Sequence, residues 1–230
     1  MVINHTSEEP LQQAGKELTK LLEKHKNSKT LVLLAGGSAL QALEYVDTQY
    51  INEYTTVMMM DERFSENESV NNYLQMTHTS FYTKIENSGA QFIQTIPQPD
   101  ETHDGFSKRV AEILSGYITE NPTSSNIALF GIGPDGHTAG IFPMDNTEFD
   151  DTYNQGDLYV PVTYTKNPFS KRCSITPKFI TTHLNHTLVY AVGEDKRSVL
   201  TSLNNTQELY EFPAHIHKRI CSHVYTDLTV

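Results

Sequence analysis

Short, continuous apolar runs punctuate the chain. Such runs are typical of parallel strands covered on both faces, because neither face has to offer polar positions to water. By this criterion strands are predicted at residues 30–35, 55–60, 91–96, 127–130, 158–162, 187–192 and 220–226. Several of these runs end abruptly in glycine or charged residues, so a polar loop follows each of those strands.

Apolar residues at helical spacing fill the segments between the runs. Residues 8–26 predict an amphipathic helix, and residues 106–118 place Val110, Ile113, Leu114 and Tyr117 on one face of another. Further helices are predicted at 39–46, within 73–85, from 138 onward, and from the 193–196 turn to about 203. The alternation predicts an α/β fold: a doubly wound, mostly parallel sheet of five to seven strands with helices on both faces, a Rossmann-like three-layer sandwich.

Length and charge narrow the classes of function. The 230 residues suit one α/β domain spanning 1–230, and a balance of 17 basic against 28 acidic residues gives a net charge of −11. Without a basic cluster, nucleic acid and anionic membranes are not expected as partners. No segment approaches a membrane span, the polar start is not a signal peptide, and Cys173 and Cys221 match no metal or redox spacing. A cytoplasmic protein with reduced thiols is therefore expected.

The loop after the 127–130 run holds the strongest candidate chemistry. Gly131, Gly133 and Gly136 permit a sharp turn, and the loop places Asp135 and His137 beyond the carboxyl end of a predicted strand. In open α/β sheets ligands bind at that edge. A histidine near a helix N-terminus should also stay neutral and able to accept a proton.

Two other interpretations of this loop stay open. Residues 131–136 match the dinucleotide pattern G-x-G-x-x-G, although Pro143 interrupts the helix that the pattern needs and a carboxylate would repel a pyrophosphate. Alternatively, His137 is a histidine that a backbone group satisfies and that has no chemical role.

Three other strand ends carry residues suited to an anion site. Gly36-Gly37-Ser38 can present backbone N–H groups to a phosphate, and Asp61-Glu62-Arg63 places charges at the next strand end. Arg172 lies in the turn-rich segment 167–177, and Lys196 follows the strand at 187–192. Each of these features also suits a solvated loop or a simple tight turn.

Taken together, these stretches resemble the 6-phosphogluconolactonase family, relatives of the glucosamine-6-phosphate deaminases. The match runs nearly end to end and rests on motifs already quoted, above all Gly131-Ile132-Gly133-Pro134-Asp135-Gly136-His137-Thr138-Ala139. Others are Gly36-Gly37-Ser38, Asp61-Glu62-Arg63 with Asn72, Phe142-Pro143, Arg172-Cys173-Ser174-Ile175-Thr176, and Gly193 with Lys196. The His-Thr-Ala form of the central loop favours the lactonases over the deaminases.

The resemblance implies hydrolysis of 6-phospho-D-glucono-1,5-lactone to 6-phospho-D-gluconate, in the oxidative pentose phosphate pathway, without metal or cofactor. It implies His137 as general base, with Asp135 and Asp61 as further catalytic residues. The substrate and its phosphate would be bound by Gly36, Gly37, Ser38, Arg63, Gly136, Thr138, Arg172 and Lys196. The partner is a small phosphosugar lactone, and the chain is expected as a monomer or small homo-oligomer.

The sequence departs from the family pattern at the phosphate turn and in the central loop. Ala39-Leu40 replaces the usual Thr-Pro, which removes a hydroxyl, and Gly140 stands where serine is common. The alternatives are a phosphosugar deaminase or isomerase of the glucosamine-6-phosphate type, a metal-dependent hydrolase that uses His183 with His186 or His215 with His217, and an inactive binding protein.

Overall fold

The computed structural model describes residues 2–229 and contains two sheets flanked by helices. The strands are β1 (Ile3–Thr6), β2 (Thr30–Leu34), β3 (Thr55–Met59), β4 (Asp61–Arg63), β5 (Gln91–Ile93), β6 (Ser125–Gly131), β7 (Tyr159–Thr163), β8 (Lys171–Ile175), β9 (His186–Tyr190) and β10 (His223–Thr226). The α-helices are α1 (Pro10–His25), α2 (Asn72–Thr77), α3 (Ser80–Ile85), α4 (His103–Glu120), α5 (Asn146–Tyr153), α6 (Pro177–His183), α7 (Arg197–Ser202) and α8 (Ile216–Arg219). Short 3₁₀ segments occupy Gly37–Tyr45, Thr48–Tyr50, Glu194–Lys196 and Pro213–His215.

The large sheet has seven parallel strands in the order β1-β10-β9-β6-β2-β3-β5. From β2 the chain first builds outward through β3 and β5, and then returns to the other side of β2 with β6, β9 and β10. The direction of winding therefore reverses between β2 and β6. In open α/β sheets this switch point is where a crevice forms at the carboxyl ends of the strands.

The two faces of the large sheet pack into separate apolar clusters, because successive strand side chains point to opposite faces. On β2, Leu31 and Leu33 join the cluster beneath α4, α6 and the smaller sheet. Val32 and Leu34 join the cluster beneath α1, α2 and α3. The predicted doubly wound, mostly parallel sheet with helices on both faces is confirmed, and its seven strands lie within the predicted range of five to seven. The strand predicted at 158–162 is β7, which lies in the smaller, antiparallel sheet instead.

The smaller sheet was not predicted. It is antiparallel with the order β4-β8-β7, and it brings Asp61-Glu62-Arg63 alongside Arg172 and its neighbours. The sequence analysis placed the first triplet and the 167–177 segment in loops, because strands of three to five residues with charged positions carry no clear apolar period. Their pairing depends on residues more than a hundred positions apart.

Several helix predictions also need correction. No helix begins at Thr138; Ala139 has a positive φ of 50° and Thr138 forms an isolated bridge with Ile141, so the next helix is α5. The segment 39–46 is 3₁₀ rather than α-helical. Ile113 is 43% exposed, since the buried stripe of α4 follows Phe106, Val110 and Leu114. Strand β1 and helix α6 were not predicted.

Candidate active site

A cavity of about 230 Å³ opens at the switch point between β2 and β6. Eight residues predicted for the site line it: Gly36, Gly37, Ser38, Asp61, Arg63, His137, Arg172 and Lys196. They come from the ends of β2, β3, β6 and β9 and from the smaller sheet. The other three predicted residues, Asp135, Gly136 and Thr138, lie outside the cavity lining.

His137 and Asp135 form a hydrogen-bonded histidine–carboxylate pair beside this cavity. Oδ1 of Asp135 lies 2.5 Å from Nδ1 of His137 and also accepts the His137 backbone N–H at 3.2 Å. Partial burial raises the pKa of the Asp135 carboxyl, but the hydrogen bonds from His137 outweigh this effect and hold the pKa below its usual value. An ionised Asp135 keeps the proton on Nδ1 of a neutral ring, so Nε2 is the acceptor.

The His137 ring is held from three sides. It is 28% exposed and packs at 4.9 Å from the ring of Phe142, which is fully buried. The loop is closed by a hydrogen bond of 2.8 Å from Gly133 N to His137 O. A Cβ on Gly133 would lie 2.0 Å from Nδ1 of His137, so this position has to be glycine for the ring to lie where it does.

Gly136 and Thr138 anchor the loop from behind and do not contact the cavity. Gly136 has a φ of 82°, and a Cβ there would lie 2.5 Å from the ring of Phe212. Thr138 is fully buried, and its hydroxyl donates to Gly131 O at 3.0 Å and lies 2.9 Å from Nε2 of His217. Any contact of Thr138 with a substrate would therefore not use its hydroxyl.

The Gly36-Gly37-Ser38 turn leads from β2 into a 3₁₀ segment rather than an α-helix. Gly37, which lines the cavity, has a positive φ of 68°, and no neighbouring atom lies within 4 Å of an added Cβ. A Cβ on Gly36 would lie 2.1 Å from Oδ1 of Asn72. Gly36 therefore makes room for a buried amide that also lines the cavity.

Strand β4 places Asp61 and Arg63 in the cavity and turns Glu62 away from it, as alternation along a strand requires. The Asp61 carboxylate is buried, with Oδ2 3.4 Å from Nδ2 of Asn72 and 3.7 Å from Nη1 of Arg172. Arg63 donates from Nη1 to Val70 O at 2.8 Å. Its Nε is buried and has no partner among the described residues.

Arg172 and Lys196 differ in how many of their donor groups already have partners within the protein. Arg172 is buried: Nε donates to Phe169 O at 3.2 Å, Nη2 donates to Asn167 Oδ1 at 3.1 Å, and the guanidinium stacks on Phe142. Burial lowers the pKa of its guanidinium and the nearby Asp61 carboxylate opposes this, and an arginine stays charged in either case. Lys196 has one neighbouring carboxylate, with Nζ 3.1 Å from Asp195.

The lining thus contains three cationic side chains and one carboxylate, in a protein of net charge −11. This local excess of positive charge suits a small anion. Among residues 2–229, no group of three or more histidine, cysteine, aspartate or glutamate side chains is arranged to hold a metal ion. Cys173, beside Arg172, is fully buried, and burial raises the pKa of its thiol, so it is an inert core residue.

A sequence model of the family described as "Glucosamine-6-phosphate isomerases/6-phosphogluconolactonase" matches residues 5–225. The chain belongs to this family. The resemblance inferred from the motifs is confirmed, and the match covers the whole cavity lining and all strands except the outer ends of β1 and β10. A relative in Schizosaccharomyces pombe, named probable 6-phosphogluconolactonase, is 26% identical over 181 residues, which is 73% of this chain and 68% of that protein.

Solved structures of this family share the fold. A 6-phosphogluconolactonase from Shewanella baltica superposes with a TM-score of 0.79 at 21% identity, covering 98% of this chain and 97% of that one. The 6-phosphogluconolactonase of Thermotoga maritima superposes with a TM-score of 0.78 at 18% identity, covering 98% of this chain and 99% of that one. The 6-phosphogluconolactonase of Trypanosoma brucei superposes with a TM-score of 0.74 at 18% identity, covering 98% of this chain and 96% of that one.

One departure from the family pattern has a physical reason in this structure. A Cβ on Gly140 would lie 2.8 Å from the Cβ of Ser174, and the Gly140 N–H donates to Ser174 Oγ at 2.9 Å. The Ser174 side chain therefore occupies the space that a serine at position 140 would need. The structure gives no comparable reason for Ala39-Leu40.

Two further residues, Asn72 and Tyr190, line the cavity. Neither is among the site residues predicted from the sequence. Asn72 was noticed only as part of the resemblance; its amide donates to Asp61 O at 3.0 Å and so fixes the acid. Tyr190 is the last residue of β9, and a strand end at the switch point is the signal that could have identified it.

The described residues contain no helix long and apolar enough to cross a membrane.

Proposed function

We propose that this chain hydrolyses 6-phospho-D-glucono-1,5-lactone to 6-phospho-D-gluconate, with His137 activating the water. The observation that carries the proposal is the Asp135–His137 pair, whose geometry leaves Nε2 as a proton acceptor in a cavity lined by cations. The names of the relatives agree with it. A cytoplasmic location and a monomeric or small homo-oligomeric state stay predictions.

In the proposed reaction, Nε2 of His137 takes a proton from water while the water oxygen bonds to the lactone carbonyl carbon. Negative charge then develops on the carbonyl oxygen, where a neighbouring guanidinium stabilises it. When the tetrahedral intermediate collapses, the bond between that carbon and the ring oxygen breaks. His137 returns the proton to the ring oxygen, which becomes a hydroxyl, and the new carboxylic acid ionises. Asp135 stabilises the imidazolium between the two steps.

The phosphate is proposed to bind at the Gly36-Gly37-Ser38 turn with Lys196. Backbone N–H groups and an ammonium suit phosphate oxygens, and the open space around Gly37 allows close approach. Arg172 is proposed to contribute less than Lys196, because its guanidinium already donates to Phe169 and Asn167. Its main effect would be to hold Asp61 and Phe142 in place.

The proposal is tested by lactone hydrolysis measured above the spontaneous rate. His137→Ala should lower kcat by roughly 10²–10⁴, the usual contribution of a positioned general base. His78→Ala is the matched control, because His78 is exposed and lies outside the cavity. Near wild-type turnover in His137→Ala would overturn the assignment. Ammonia release from glucosamine 6-phosphate would instead indicate the deaminase alternative.

A further inference from the structure

A chain of buried polar groups runs behind the loop that carries His137. Thr187 on β9 and Ser222 before β10 have hydroxyl oxygens 2.9 Å apart, and Ser222 Oγ lies 3.0 Å from Nδ1 of His217 on α8. Nε2 of His217 lies 2.9 Å from Oγ1 of Thr138, which in turn contacts Gly131 O at 3.0 Å. We call this chain of five groups the buried relay. His217 at its centre is fully buried.

The proton positions in the relay follow from the donor and acceptor capacity of each group. A carbonyl can only accept, so the Thr138 hydroxyl donates to Gly131 O, and its oxygen accepts from Nε2–H of His217. In a neutral ring Nδ1 is then an acceptor, and the Ser222 hydroxyl donates a hydrogen bond to it. The Ser222 and Thr187 oxygens lie 2.9 Å apart. Because each hydroxyl has a single proton and that of Ser222 is directed to Nδ1, we infer that Thr187 donates to Ser222.

The neutral state of His217 is favoured by its surroundings. Burial lowers the pKa of its imidazole to about 3. The Phe130 ring packs against it in an edge arrangement at 4.8 Å, and its neighbour in the relay on either side is a hydroxyl rather than a carboxylate. A cationic ring would have no counter-charge there, whereas a neutral ring satisfies both of its nitrogen atoms.

At the end opposite Thr187, the relay joins the two boundaries of the His137 loop, Thr138 and Gly131. Gly131 is the last residue of β6 and Thr138 directly follows His137. The same C-terminal segment touches the loop twice more, where Phe212 packs on Gly136 and where Ala214 N donates to Gly136 O at 2.9 Å. His217 therefore provides the one side-chain hydrogen bond, within the described residues, that ties this segment to the residue beside His137.

We propose that His217 is a positioning residue, which fixes the loop carrying His137 by donating from Nε2 to Thr138. This inference rests on the proposed function of His137. His217 does not line the cavity, so we assign it no part in proton transfer to the substrate. Thr138, which the sequence analysis placed in the substrate site, is assigned to the relay instead.

Kinetics of four variants test the proposal. His217→Leu and Thr138→Val should each lower kcat by about 10–100-fold with KM within about twofold, because a catalytic group displaced by about 1 Å loses rate rather than binding. The double variant should lose no more than the more impaired single variant, since both remove one unit. His217→Gln should keep most of the wild-type kcat, because its amide nitrogen can donate to Thr138.

Val110→Ala is the control for a general loss of stability. Val110 is fully buried in the apolar cluster that contains Phe130, the neighbour of His217, but lies outside the relay. This variant should lower the melting temperature and leave kcat unchanged below that temperature. Additive losses in the double variant, an unchanged kcat in His217→Leu, or equal damage from Leu and Gln would each overturn the proposal.

A second measurement does not depend on enzymatic activity. In long-range ¹H–¹⁵N spectra of the histidine rings, the His217 signal is identified by its loss in His217→Gln. It should show the neutral Nε2–H tautomer from about pH 5 to about pH 8. A protonated ring or the Nδ1–H tautomer would overturn the relay. If the wild-type protein hydrolysed no lactone but showed this tautomer, the proposed function would fail while the hydrogen-bond arrangement would stand.

Discussion

Two glycines of the cavity lining and one beside it leave space for other side chains. A Cβ on Gly133 would overlap the His137 ring, one on Gly36 would overlap the Asn72 amide, and one on Gly140 would overlap Ser174. At Gly133 the obstacle is the end of a side chain that can rotate, so the fold can accommodate a methyl group at the expense of the ring position. The position of the base is thus determined by a residue that has no functional group.

Gly133→Ala should therefore impair catalysis more than folding. We expect kcat to fall by roughly 10²–10⁴, as for removal of the general base, because the His137 ring has to leave its place. The melting temperature should change little. Gly116→Ala on α4, where an added Cβ meets no atom within 4 Å, is the control for both measurements. A stable Gly133→Ala variant with wild-type kcat would show that the ring position is not critical.

Lys196 should act on binding rather than on chemistry. Its contact with a phosphate that the reaction does not alter is the same in ground and transition states, so Lys196→Ala should raise KM more than it lowers kcat. One charge-assisted bond contributes about 1.5–3 kcal/mol, which corresponds to roughly a 10–100-fold loss of kcat/KM.

The comparison of phosphorylated with unphosphorylated gluconolactone checks this prediction. The wild-type protein should prefer the phosphorylated lactone by roughly 10²–10⁴ in kcat/KM, and Lys196→Ala should reduce that preference. Lys20→Ala, which removes an exposed lysine paired with Glu17 on α1, is the matched control. An unchanged preference in Lys196→Ala would mean that the phosphate binds elsewhere.

At the scale of elements, β4 joins the site to α2 through the one side chain that it turns away from the cavity. Glu62 is fully buried and accepts the backbone N–H groups of Arg63, Asn72 and Tyr73 at 2.8, 2.5 and 2.9 Å. The Thr95 hydroxyl donates at 2.8 Å to Oε2, the oxygen that also accepts the Tyr73 N–H, while Oε1 accepts the other two N–H groups. Glu62 thus fixes the start of α2, and with it Asn72, relative to Asp61 and Arg63.

Glu62 should make stability depend on pH. Burial raises its pKa to about 8 in spite of the hydrogen bonds that favour the carboxylate, whereas in the unfolded chain the value is the ordinary 4.5. Between these two values the folded protein keeps a proton that the unfolded chain has released. The free energy of unfolding should therefore decrease as pH rises through this window and level off above it.

Denaturant unfolding of wild type and Glu62→Gln at about pH 5 and about pH 8 measures this contribution. Glu62→Gln should be less stable at the lower pH, by about 1–3 kcal/mol, because its amide leaves a backbone N–H without an acceptor. Its stability should also fall less steeply with pH than that of the wild type. Equal slopes for the two proteins would show that Glu62 is ionised in the folded state.

For the whole molecule, the two ends of the chain meet at one edge of the large sheet. Strand β1 pairs in parallel with β10, and Ile3 N and Ser7 N donate to Ser222 O and Thr226 O at 3.0 Å. The C-terminal segment that β1 covers also contains Ser222 and leads back to the His137 loop. Strand β1, which was not predicted from the sequence, therefore covers β10 and the segment that supports the site.

Proline substitutions in β1 test this role. Backbone N–H groups alternate along an edge strand, so that of His5 should face β10, as those of Ile3 and Ser7 do, and that of Asn4 should face away. His5→Pro should lower the melting temperature by about 2–4 °C for each kcal/mol of the lost bond, and Asn4→Pro should lower it less. The His5 ring stacks on Tyr225, so His5→Ala measures the effect of losing this ring separately from the effect of losing the backbone hydrogen bond. Equal effects of the two prolines would contradict this pairing.

Local patterns in the sequence determined the main sheet and the residues around the cavity. Continuous apolar runs identified β2, β3, β6 and β9 as buried strands, and parallel strands that share a direction bring their carboxyl-end loops to one edge. That is why Gly36, Asp61, His137 and Lys196 could be placed together from the sequence. The motifs in those loops also identified the family.

Only the tertiary structure decided which of the polar residues face the cavity and which are occupied elsewhere. Thr138 is directed to His217, 79 positions away, and Arg172 is already bound by Phe169 and Asn167. The smaller sheet likewise forms between β4 and β8, which are separated by about half of the chain. Such pairings leave no local periodicity in the sequence, because they depend on where distant segments come to lie once the apolar faces are packed.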